Sequence, residues 1–353
     1  MIAGRSDSGC GPTPPALAVV IVNFNSWPDT ARLVAEIAGG IDPALGRCEV
    51  VVVDNASDDP PPALLGLLPG VRLICRPDNA GFAAGVNTAW RSTAARWLLL
   101  LNPDVLAGAD LLPLVLGRIA LLEARPEGPP GVVGFALRNE DGSRQHSVGP
   151  FPTLLGCLRE VVTPRSRRKY RPLRRTRTGP VPWVTGACML VHSELLRDLG
   201  GMDEDFFLYH EEVALCRSAR DLGRSVEFDD AVEVAHLRPL QARAVSPMLR
   251  VVTRHSKLLY FLKHRPRFEF AALARLVAAE AALGSLRCRL LGRPEEGRAW
   301  RAVSRIAREL GPGRGPRGIE VLAFADRAIR GAEPTRTPRR RRPIPLDAAG
   351  RSR

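Results

Sequence analysis

The sequence predicts an α/β fold in which a mostly parallel central sheet is flanked by helices and followed by a C-terminal helical extension. Three observations predict it. Four apolar runs in the first 101 residues alternate with helical patterns, as in β-α-β units. The runs are apolar at nearly every position, which is typical of strands buried on both faces. Polar residues directly follow three of them, at Asn23, Asp54 and Asn102, where open α/β sheets bind ligands.

The first half of the fold is predicted as four strands with helices between them. The strands are predicted at residues 17–22, 49–53, 71–74 and 98–101. Asp29 or Thr30 is a candidate cap for the first helix, which should end near Ala38. A turn at residues 55–62 precedes a short helix, and a Gly/Ala-rich loop at 79–85 leads into the next helix.

The second half is predicted to contain shorter strands and then helices. Strands are expected at residues 132–137 and 181–191, with a break at Gly186, and helices at 193–199 and 211–222. Residues 265–310 are predicted to be helical, with a further short helix near 320–329. Residues 268–291 are apolar but are broken by charged side chains that include Glu269, Arg275, Glu280 and Arg287, so this helix either packs on the core or lies on a membrane surface.

The composition, 45% hydrophobic and 25% charged over 353 residues, is normal for a globular protein with a sizeable core. No stretch reaches 18 apolar residues without a charge, and residues 1–15 lack a long apolar segment. Neither a transmembrane helix nor a signal peptide is therefore expected.

The seven cysteines are odd in number and without C-x-x-C spacing, which argues against a disulfide framework or zinc site and favours a reducing compartment.

The net charge of +14 is unevenly distributed and includes two strongly basic segments. Residues 165–177 hold eight basic side chains and no acidic one, and residues 336–353 contain a run of four arginines. Such segments suit anionic lipid headgroups, polyphosphates or nucleic acid, although a solvated, disordered segment is an equally good interpretation. Because aromatic residues are not interleaved with the arginines and no nucleic-acid module is recognisable, nucleic acid is not an expected partner.

Ionisable residues at predicted strand and helix ends are the candidate chemical groups. Asp104, in Asn102-Pro103-Asp104 after the fourth strand, can hold a divalent cation and through it a diphosphate, although this tripeptide is also a common turn. Glu211 and Glu212 open a helix and can supply a general base, or can be solvated first-turn acids. His236 follows an apolar run and is either a metal or phosphate ligand or a structural histidine.

Taken in order along the chain, these motifs resemble the family-2 inverting glycosyltransferases of the GT-A fold, and within them the rhamnosyltransferase-like group. The resemblance covers roughly residues 16–265, and its most specific segment is DNAGFAAGVN at residues 78–87. The other matching segments are residues 20–26, 51–58, 100–104, 183–189, 200–209 and 256–264.

The resemblance implies a role for each matching residue. Binding of the donor nucleotide-sugar is implied for Asn23, Asn25, Asp54, Asn55, Ser57, Asn79, Gly81, Phe82, Asn87 and Asn102. Acceptor binding is implied for Trp183, Thr185, Gly186 and Ala187. Asp104 and His236 would bind Mg²⁺ or Mn²⁺, and Glu211 or Glu212 would act as the base in a single displacement that inverts the anomeric carbon.

The resemblance also implies the reactants, and the two basic segments indicate a location. The donor would be a nucleoside-diphosphate sugar, such as dTDP-L-rhamnose, and the acceptor a saccharide or polyprenyl-diphosphate-linked saccharide used in cell-envelope polysaccharide synthesis. The expected location is the cytoplasm, peripherally on the inner face of the cytoplasmic membrane, where the basic segments can contact anionic lipids. The chain has Glu212 where Asp is usual and Ala214 where an acid is usual. A catalytically weak or inactive sugar-nucleotide-binding protein of the same fold is therefore the alternative.

Four parts are expected along the chain. They are a disordered N-terminus over residues 1–15, a GT-A domain over 16–265, a helical extension over 266–310 and a basic, largely disordered tail over 311–353. The first part is polar and rich in Gly and Pro, and the last is rich in arginine, which are compositions that disfavour a packed core.

Overall fold

The computed structural model of the protein describes residues 14–38, 48–162, 178–238 and 245–331. The basic segments at 165–177 and 336–353 lie outside these ranges. The strands are β1 (Leu17–Asn23), β2 (Cys48–Asp54), β3 (Val71–Cys75), β4 (Trp97–Leu101), β5 (Val105–Leu106), β6 (Val132–Arg138), β7 (Arg144–Gln145), β8 (Val148–Gly149), β9 (Gly179–Pro180), β10 (Trp183–Val184), β11 (Cys188–His192) and β12 (Val226–His236). The α-helices are α1 (Trp27–Ala38), α2 (Phe82–Arg91), α3 (Leu111–Glu123), α4 (Leu154–Val162), α5 (Ser193–Leu199), α6 (Glu211–Asp221), α7 (Pro247–His264), α8 (Arg267–Leu290), α9 (Pro294–Glu309) and α10 (Glu320–Arg330), and a 3₁₀ helix spans Ala63–Leu67.

One large sheet crosses the fold and confirms the predicted α/β class. Its strands lie in the order β3-β2-β1-β4-β11-β6-β12-β5. Strands β1 to β4 are parallel, and so are β6 and β12, whereas β11 is antiparallel to both of its neighbours. Asn23 at the end of β1 is in register with Asp54 at the end of β2, so these polar strand ends meet at one edge of the sheet.

Both faces of the sheet are covered, which explains why successive strand residues are apolar. In β1, Val20 and Val22 belong to a core shared with α2, α6 and the C-terminal helices, whereas Val19 and Ile21 belong to a core shared with α1 and α3. Every residue of β1 and of β4 is buried. Alternate side chains of one strand therefore pack into opposite cores.

Two N-terminal helices differ from the sequence prediction. Helix α1 begins at Trp27, before the expected cap, because the Trp27 ring is buried and Ser26 Oγ donates a 3.0 Å hydrogen bond to Asp29 Oδ2. Helix α3 is missing from the prediction. Its apolar residues surround the helix, since Leu112 is buried and Leu121 is exposed, so no clear 3.6-residue pattern marks it.

Helices α7 to α10 form a C-terminal extension that contacts the segment preceding α6. Lys263 Nζ and Arg317 Nη1 lie 2.7 and 2.8 Å from Asp205 Oδ2. The Gly318 backbone N donates a hydrogen bond to the Asp205 carbonyl oxygen at 2.8 Å. We term these contacts the extension clamp, because they hold the backbone that leads into α6.

Two neighbouring residues of α7 strengthen the same region. Ser256 Oγ donates to the Leu208 carbonyl oxygen at 2.7 Å. His255 Nε2 lies 2.8 Å from the Pro316 carbonyl oxygen, and because that oxygen only accepts, Nε2 carries the proton. Helix α7 thus links the segment before α6 to the connection between α9 and α10.

The predicted division into four parts stays a prediction. Helices α8 and α9 occupy the expected helical extension, and α10 confirms the short helix expected near residues 320–329. Within the described ranges, no helix is both long and apolar enough to cross a membrane. The six cysteines in those ranges are free thiols.

The fold is expected to lose stability in mild acid because of His255. Its imidazole is fully buried, and burial lowers its pKa to about 4. The unfolded chain takes up this proton below a pH of about 6.5, whereas the folded chain does not until the pH nears 4, so protonation favours unfolding between these values. We expect the free energy of unfolding to be about 2 kcal/mol lower at pH 5 than at pH 7.

Urea unfolding at both pH values measures this effect. His255→Gln keeps a donor for the Pro316 carbonyl oxygen and should remove most of the difference. His146→Gln, at an exposed position, is the matched control. An undiminished difference in His255→Gln would show that other groups cause the acid sensitivity.

Candidate active site

The polar ends of β1 and β2 form one hydrogen-bonded group at the carboxyl edge of the sheet. Asn23 Nδ2 donates to Asp54 Oδ1 at 2.8 Å and to Ser57 Oγ at 3.0 Å. The Ser57 hydroxyl donates to Asp54 Oδ1 at 2.6 Å, and the Ser57 backbone N donates to Asp54 Oδ2 at 3.1 Å. Thr30 Oγ1 donates to Asn23 Oδ1 at 2.8 Å. Three predicted nucleotide-binding residues are therefore brought together, and Asp54 is held in one orientation.

The turns after these strands carry two further predicted residues. Asn25 has a φ of 50°, and its side chain exchanges hydrogen bonds with Asp58, from Nδ2 to Oδ2 at 2.9 Å and from Asp58 N to Oδ1 at 2.8 Å. Asn55 Nδ2 donates to the Gly81 carbonyl oxygen at 3.0 Å. The end of β2 is thereby tied to the Gly-rich loop.

The Gly-rich loop turns sharply into α2 at Gly81. This residue has a φ of 95°, and its backbone N donates to Asn79 Oδ1 at 3.2 Å. A Cβ at this position would lie 2.0 Å from the Phe207 carbonyl oxygen, so only glycine fits. The Phe82 backbone N donates to the same oxygen at 3.2 Å. The loop is therefore seated directly on the segment that precedes α6.

Gly81→Ala is expected to lower the free energy of unfolding by about 3 kcal/mol or more, because a left-handed φ and a backbone clash add together. Gly128→Ala is the matched control, since Gly128 has a φ of 82° but open space where its Cβ would lie. That variant should lose only about 1 kcal/mol. Urea unfolding compares the two, and equal losses would mean that contact with Phe207 contributes nothing.

Asp104 and His236 meet at the same edge of the sheet although they are far apart in sequence. Strand β5 pairs antiparallel with the end of β12, which places His236 opposite Val105. The Leu237 backbone N donates to the Asp104 carbonyl oxygen at 3.0 Å. Both side chains are buried, and His236 Nε2 lies 3.3 Å from Asp104 Oδ1. The two predicted metal ligands are therefore adjacent.

Gln145 sets the tautomer of His236. Its Nε2 donates to Asn139 Oδ1 at 2.8 Å and to the His236 carbonyl oxygen at 3.1 Å, so its Oε1 is the atom that faces His236 Nδ1, at 2.7 Å. Because Oε1 can only accept, Nδ1 carries a proton, so in the neutral imidazole the lone pair is on Nε2, the nitrogen that faces Asp104. A carboxylate and a neutral imidazole fit a divalent cation. No third His, Cys or acidic side chain of the described residues joins them, so a bound diphosphate or water would complete the ligand set.

Arg238 is a site residue that sequence reasoning missed. Its Nε lies 3.8 Å from Asp104 Oδ2, and its guanidinium also pairs with Asp29 in the first turn of α1. The available signal was its place two residues after His236, beyond the end of a strand. It brings a positive charge to the edge of the sheet beside Asp104.

The acidic pair opens α6 after an unusual backbone turn. Tyr209 and His210 both adopt the left-handed region, with φ of 68° and 69°. Such conformations cost about 1–3 kcal/mol each and persist only when the surroundings enforce them. The extension clamp holds the backbone just before this turn. Glu211 and Glu212 are buried at the start of α6. They are therefore not the solvated first-turn acids of the alternative interpretation.

Gly186 marks the point where the Gly-rich loop, the β10–β11 turn and α6 converge. A Cβ at this position would lie 3.7 Å from Glu212 Cβ and 3.8 Å from Phe82 Cε1. Asn102 at the end of β4 donates from its backbone N to the Ala187 carbonyl oxygen at 3.0 Å, directly beside this point. Residues predicted for the donor, the acceptor and the base are thus gathered in one place.

Two predicted binding residues are buried and hydrogen-bonded to the backbone of other segments. Asn87 is 1% exposed, accepts from the Met202 backbone N at 2.7 Å and donates to the Met202 carbonyl oxygen at 2.9 Å. Trp183 is buried, and its Nε1 donates to the Pro150 carbonyl oxygen at 2.8 Å. Protein encloses both side chains, and their predicted contacts with the donor and the acceptor stay predictions. On the acceptor side, Ala187 is also buried, whereas Thr185 and Gly186 are partly exposed.

The fold and the site together define the class of protein. A mostly parallel sheet that gathers a polar strand end, a Gly-rich loop, an Asp–His pair and a buried acidic helix start has the GT-A arrangement of nucleotide-sugar-dependent glycosyltransferases. Residues 18–200, more than half of the chain, match the family described as glycosyl transferase family 2. The chain belongs to this family, as its sequence motifs predicted.

Individual proteins are similar over a longer part of the chain. An N-acetylglucosaminyl-diphospho-decaprenol L-rhamnosyltransferase from Mycobacterium tuberculosis is 28% identical over 269 residues, which cover 70% of this chain and 84% of that protein. A low-salt glycan biosynthesis hexosyltransferase from Haloferax volcanii is 24% identical over 285 residues, which cover 74% and 82%. Among solved structures, a mannosyltransferase from Pyrobaculum calidifontis in complex with GDP-Man and Mn²⁺ is 18% identical with a TM-score of 0.48, over 91% of this chain and 89% of that one. The similarity to a rhamnosyltransferase agrees with the group that the motifs indicated.

Proposed function

We propose that the protein moves L-rhamnose from a nucleoside diphosphate to a polyprenyl-diphosphate-linked saccharide, with inversion at the anomeric carbon. As a member of its family, the chain is a glycosyltransferase. The observation that carries the finer proposal is the convergence at Gly186, which Glu212 and Phe82 approach to within 3.7 and 3.8 Å of a Cβ position. A donor on the Gly-rich loop and an acceptor on Thr185 and Gly186 would there share one base.

The proposed donor and acceptor follow from similarity and from the polar edge of the sheet. The relative from M. tuberculosis is named for L-rhamnose transfer to N-acetylglucosaminyl-diphospho-decaprenol. We carry over dTDP-L-rhamnose and a lipid-linked acceptor of this class, used in cell-envelope polysaccharide synthesis. The nucleoside is proposed to bind at Asp54 and its partners, and the diphosphate-sugar between the Gly-rich loop and Asn102.

In the proposed reaction Glu212 accepts the proton of the acceptor hydroxyl as that oxygen attacks the anomeric carbon. The bond to the nucleoside diphosphate breaks in the same step, through an oxocarbenium-like transition state. Because the Glu212 carboxylate is buried, little water competes for it or for the donor sugar. Glu211, its buried neighbour, is the other candidate base. Substituting each of the two residues by glutamine distinguishes them.

A Mg²⁺ or Mn²⁺ ion is proposed to bind at Asp104 and His236, whose Oδ1 and Nε2 face each other. When bound, the ion neutralises negative charge on the leaving diphosphate. Arg238 lies beside Asp104 and is proposed to bind the same diphosphate through its guanidinium. Gln145 holds the His236 ring in the tautomer that leaves Nε2 available.

A transfer assay tests the proposal. The purified full chain is incubated with Mn²⁺, N-acetylglucosaminyl-diphospho-polyprenol and each nucleotide sugar of a panel that includes dTDP-L-rhamnose. We expect release of nucleoside diphosphate and a glycosylated lipid, with the anomeric configuration opposite to that of the donor. A chain that transfers sugar from none of the donors would refute the proposal.

A second candidate is a catalytically weak or inactive sugar-nucleotide-binding protein. It is favoured by Glu212 in place of the usual Asp and by Ala214, which is buried on α6 where the family usually has an acid. This candidate requires metal-dependent nucleotide binding that survives Glu212→Ala, without turnover in either form. Measurable turnover by the unaltered chain would exclude it.

We also propose that the protein works in the cytoplasm, peripherally on the inner face of the cytoplasmic membrane. The support is the positive charge of residues 165–177 and 336–353, which suits anionic lipid headgroups. Deleting residues 336–353 is expected to weaken binding to vesicles of anionic lipid in a sedimentation assay. Unchanged binding would count against a role for this segment.

A further inference from the structure

Helix α8 has a buried face and an exposed apolar face. The buried face packs on the core through Glu269, Leu273, Val277, Ala281 and Cys288. The opposite side exposes Phe268, Leu283, Leu286 and Leu290, which are 69%, 70%, 55% and 79% exposed. At 100° per residue these four side chains fall within one stripe, which extends roughly 33 Å along the helix. The helix therefore both packs on the core and presents large apolar side chains outward.

The charges of α8 are arranged around this stripe. Both acidic residues of the helix are paired with arginines, Glu280 with Arg254 at 2.5 Å and Glu269 with Arg265 at 2.6 Å. Within the described ranges, by contrast, Arg275, Arg287 and Arg289 have no acidic partner. Arg287 and Arg289 flank the leucines on the two sides of the stripe. The exposed face is therefore apolar along its middle and positively charged at its margins.

A pocket lies where α8 meets α9, next to the end of the stripe. Its volume is about 560 Å³, and its lining includes Ser285, Leu286, Arg289, Arg293 and Arg301. Two of its three arginines, Arg289 and Arg301, have no acidic partner among the described residues. Guanidinium and hydroxyl groups around an open pocket suit a phosphate group.

We propose that the α8 stripe and this pocket form a membrane-docking surface, with the leucines in the interfacial region and the arginines on the phosphates of anionic lipids. Amphipathic helices that lie in the interface combine such an apolar stripe with flanking basic residues. A second copy of the chain fits less well, because a symmetric contact would bring unpaired arginines against each other. The docking surface is distinct from the basic segments at 165–177 and 336–353, and it does not depend on the proposed sugar transfer.

Sedimentation of the full chain with vesicles tests the docking surface. The vesicles contain phosphatidylglycerol and phosphatidylcholine, or phosphatidylcholine alone. Leu286→Ser with Leu290→Ser, and separately Arg287→Glu with Arg289→Glu, are each expected to weaken binding to the anionic vesicles by about tenfold or more. The matched controls are Leu64→Ser with Leu67→Ser, two exposed leucines of the 3₁₀ helix, and Arg197→Glu with Arg327→Glu, two exposed arginines elsewhere. Both controls should bind nearly as the unaltered chain does.

Binding by both docking-surface variants at the level of the unaltered chain would overturn the proposal. So would equal losses in the controls, because net charge and general hydrophobicity would then explain the binding. Leu290→Trp provides a measurement of insertion into bound vesicles: the tryptophan fluorescence of this variant should be quenched by brominated lipids more strongly than that of the unaltered chain. No added quenching would mean that α8 does not enter the lipid. Since no reaction is measured, failure here leaves the transfer proposal unaffected.

Discussion

Glu212→Gln is expected to lower kcat by about 10²- to 10⁴-fold, the usual contribution of a positioned general base. Glutamine has the shape of glutamate but cannot accept the proton of the acceptor hydroxyl. Because Glu212 is buried and lies beside Gly186, the substitution removes a proton acceptor from the place where donor and acceptor are proposed to meet. Donor binding should change little, since Glu212 is not proposed to contact the nucleotide. Steady-state kinetics and a donor titration measure the two quantities.

Two neighbouring variants sharpen this prediction. Glu211→Gln should have a smaller effect than Glu212→Gln, and a larger effect would assign the base to Glu211. Glu212→Asp introduces the residue usual in the family but withdraws the carboxylate by one methylene from a site formed around glutamate. A displacement near 1 Å costs on the order of 100-fold, so we expect an intermediate rate. Full activity in Glu212→Gln and Glu211→Gln alike would contradict the proposed acid–base role of this pair.

Asp104→Asn is expected to weaken the binding of Mn²⁺ in the presence of a nucleoside diphosphate by about 100-fold and to lower kcat comparably. The substitution removes the negative charge that faces His236 Nε2 at 3.3 Å while preserving shape. It also leaves Arg238 beside a neutral group. Titration of free Mn²⁺ by electron paramagnetic resonance measures the affinity without turnover.

Asp58→Asn is the matched control for Asp104→Asn, because Asp58 is another carboxylate at the same edge and pairs with Asn25. It should leave the Mn²⁺ affinity unchanged. Gln145→Ala removes the acceptor of the His236 Nδ1 proton and should cost about tenfold in affinity. If Asp104→Asn retained the Mn²⁺ affinity of the unaltered chain, the ion would have to bind elsewhere.

The strands and the loops between them could be predicted because their signals are local. The apolar runs of β1, β2 and β4 need only burial on both faces, and the Gly81 turn needs a residue without a side chain. The place of His236 beside Asp104 was predicted only through resemblance. It depends on the pairing of β12 with β5 and on a register shift between Asp229 and Glu233, which no local pattern encodes.

The positions of residues that hold other residues in place could not be predicted from the sequence. Gln145 lies on the two-residue strand β7, and its role exists only because His236 lies next to it. Asn87 lies inside the matching loop-helix segment, so a ligand contact was expected, yet its amide binds the Met202 backbone. Gln145 and His236 are 91 residues apart in the sequence, and Asn87 and Met202 are 115 residues apart. Such long-range contacts leave no periodicity to detect.

The extension clamp affects when the chain can become active during its synthesis on the ribosome. The contact between Arg317 and Asp205 spans 112 residues of sequence, so during translation roughly ten seconds pass between the synthesis of the two residues. Throughout that interval the turn at Tyr209 and His210 lacks the support of Arg317 and Gly318. We expect a ribosome-bound chain to fold its sheet but to transfer no sugar until almost the whole extension has emerged.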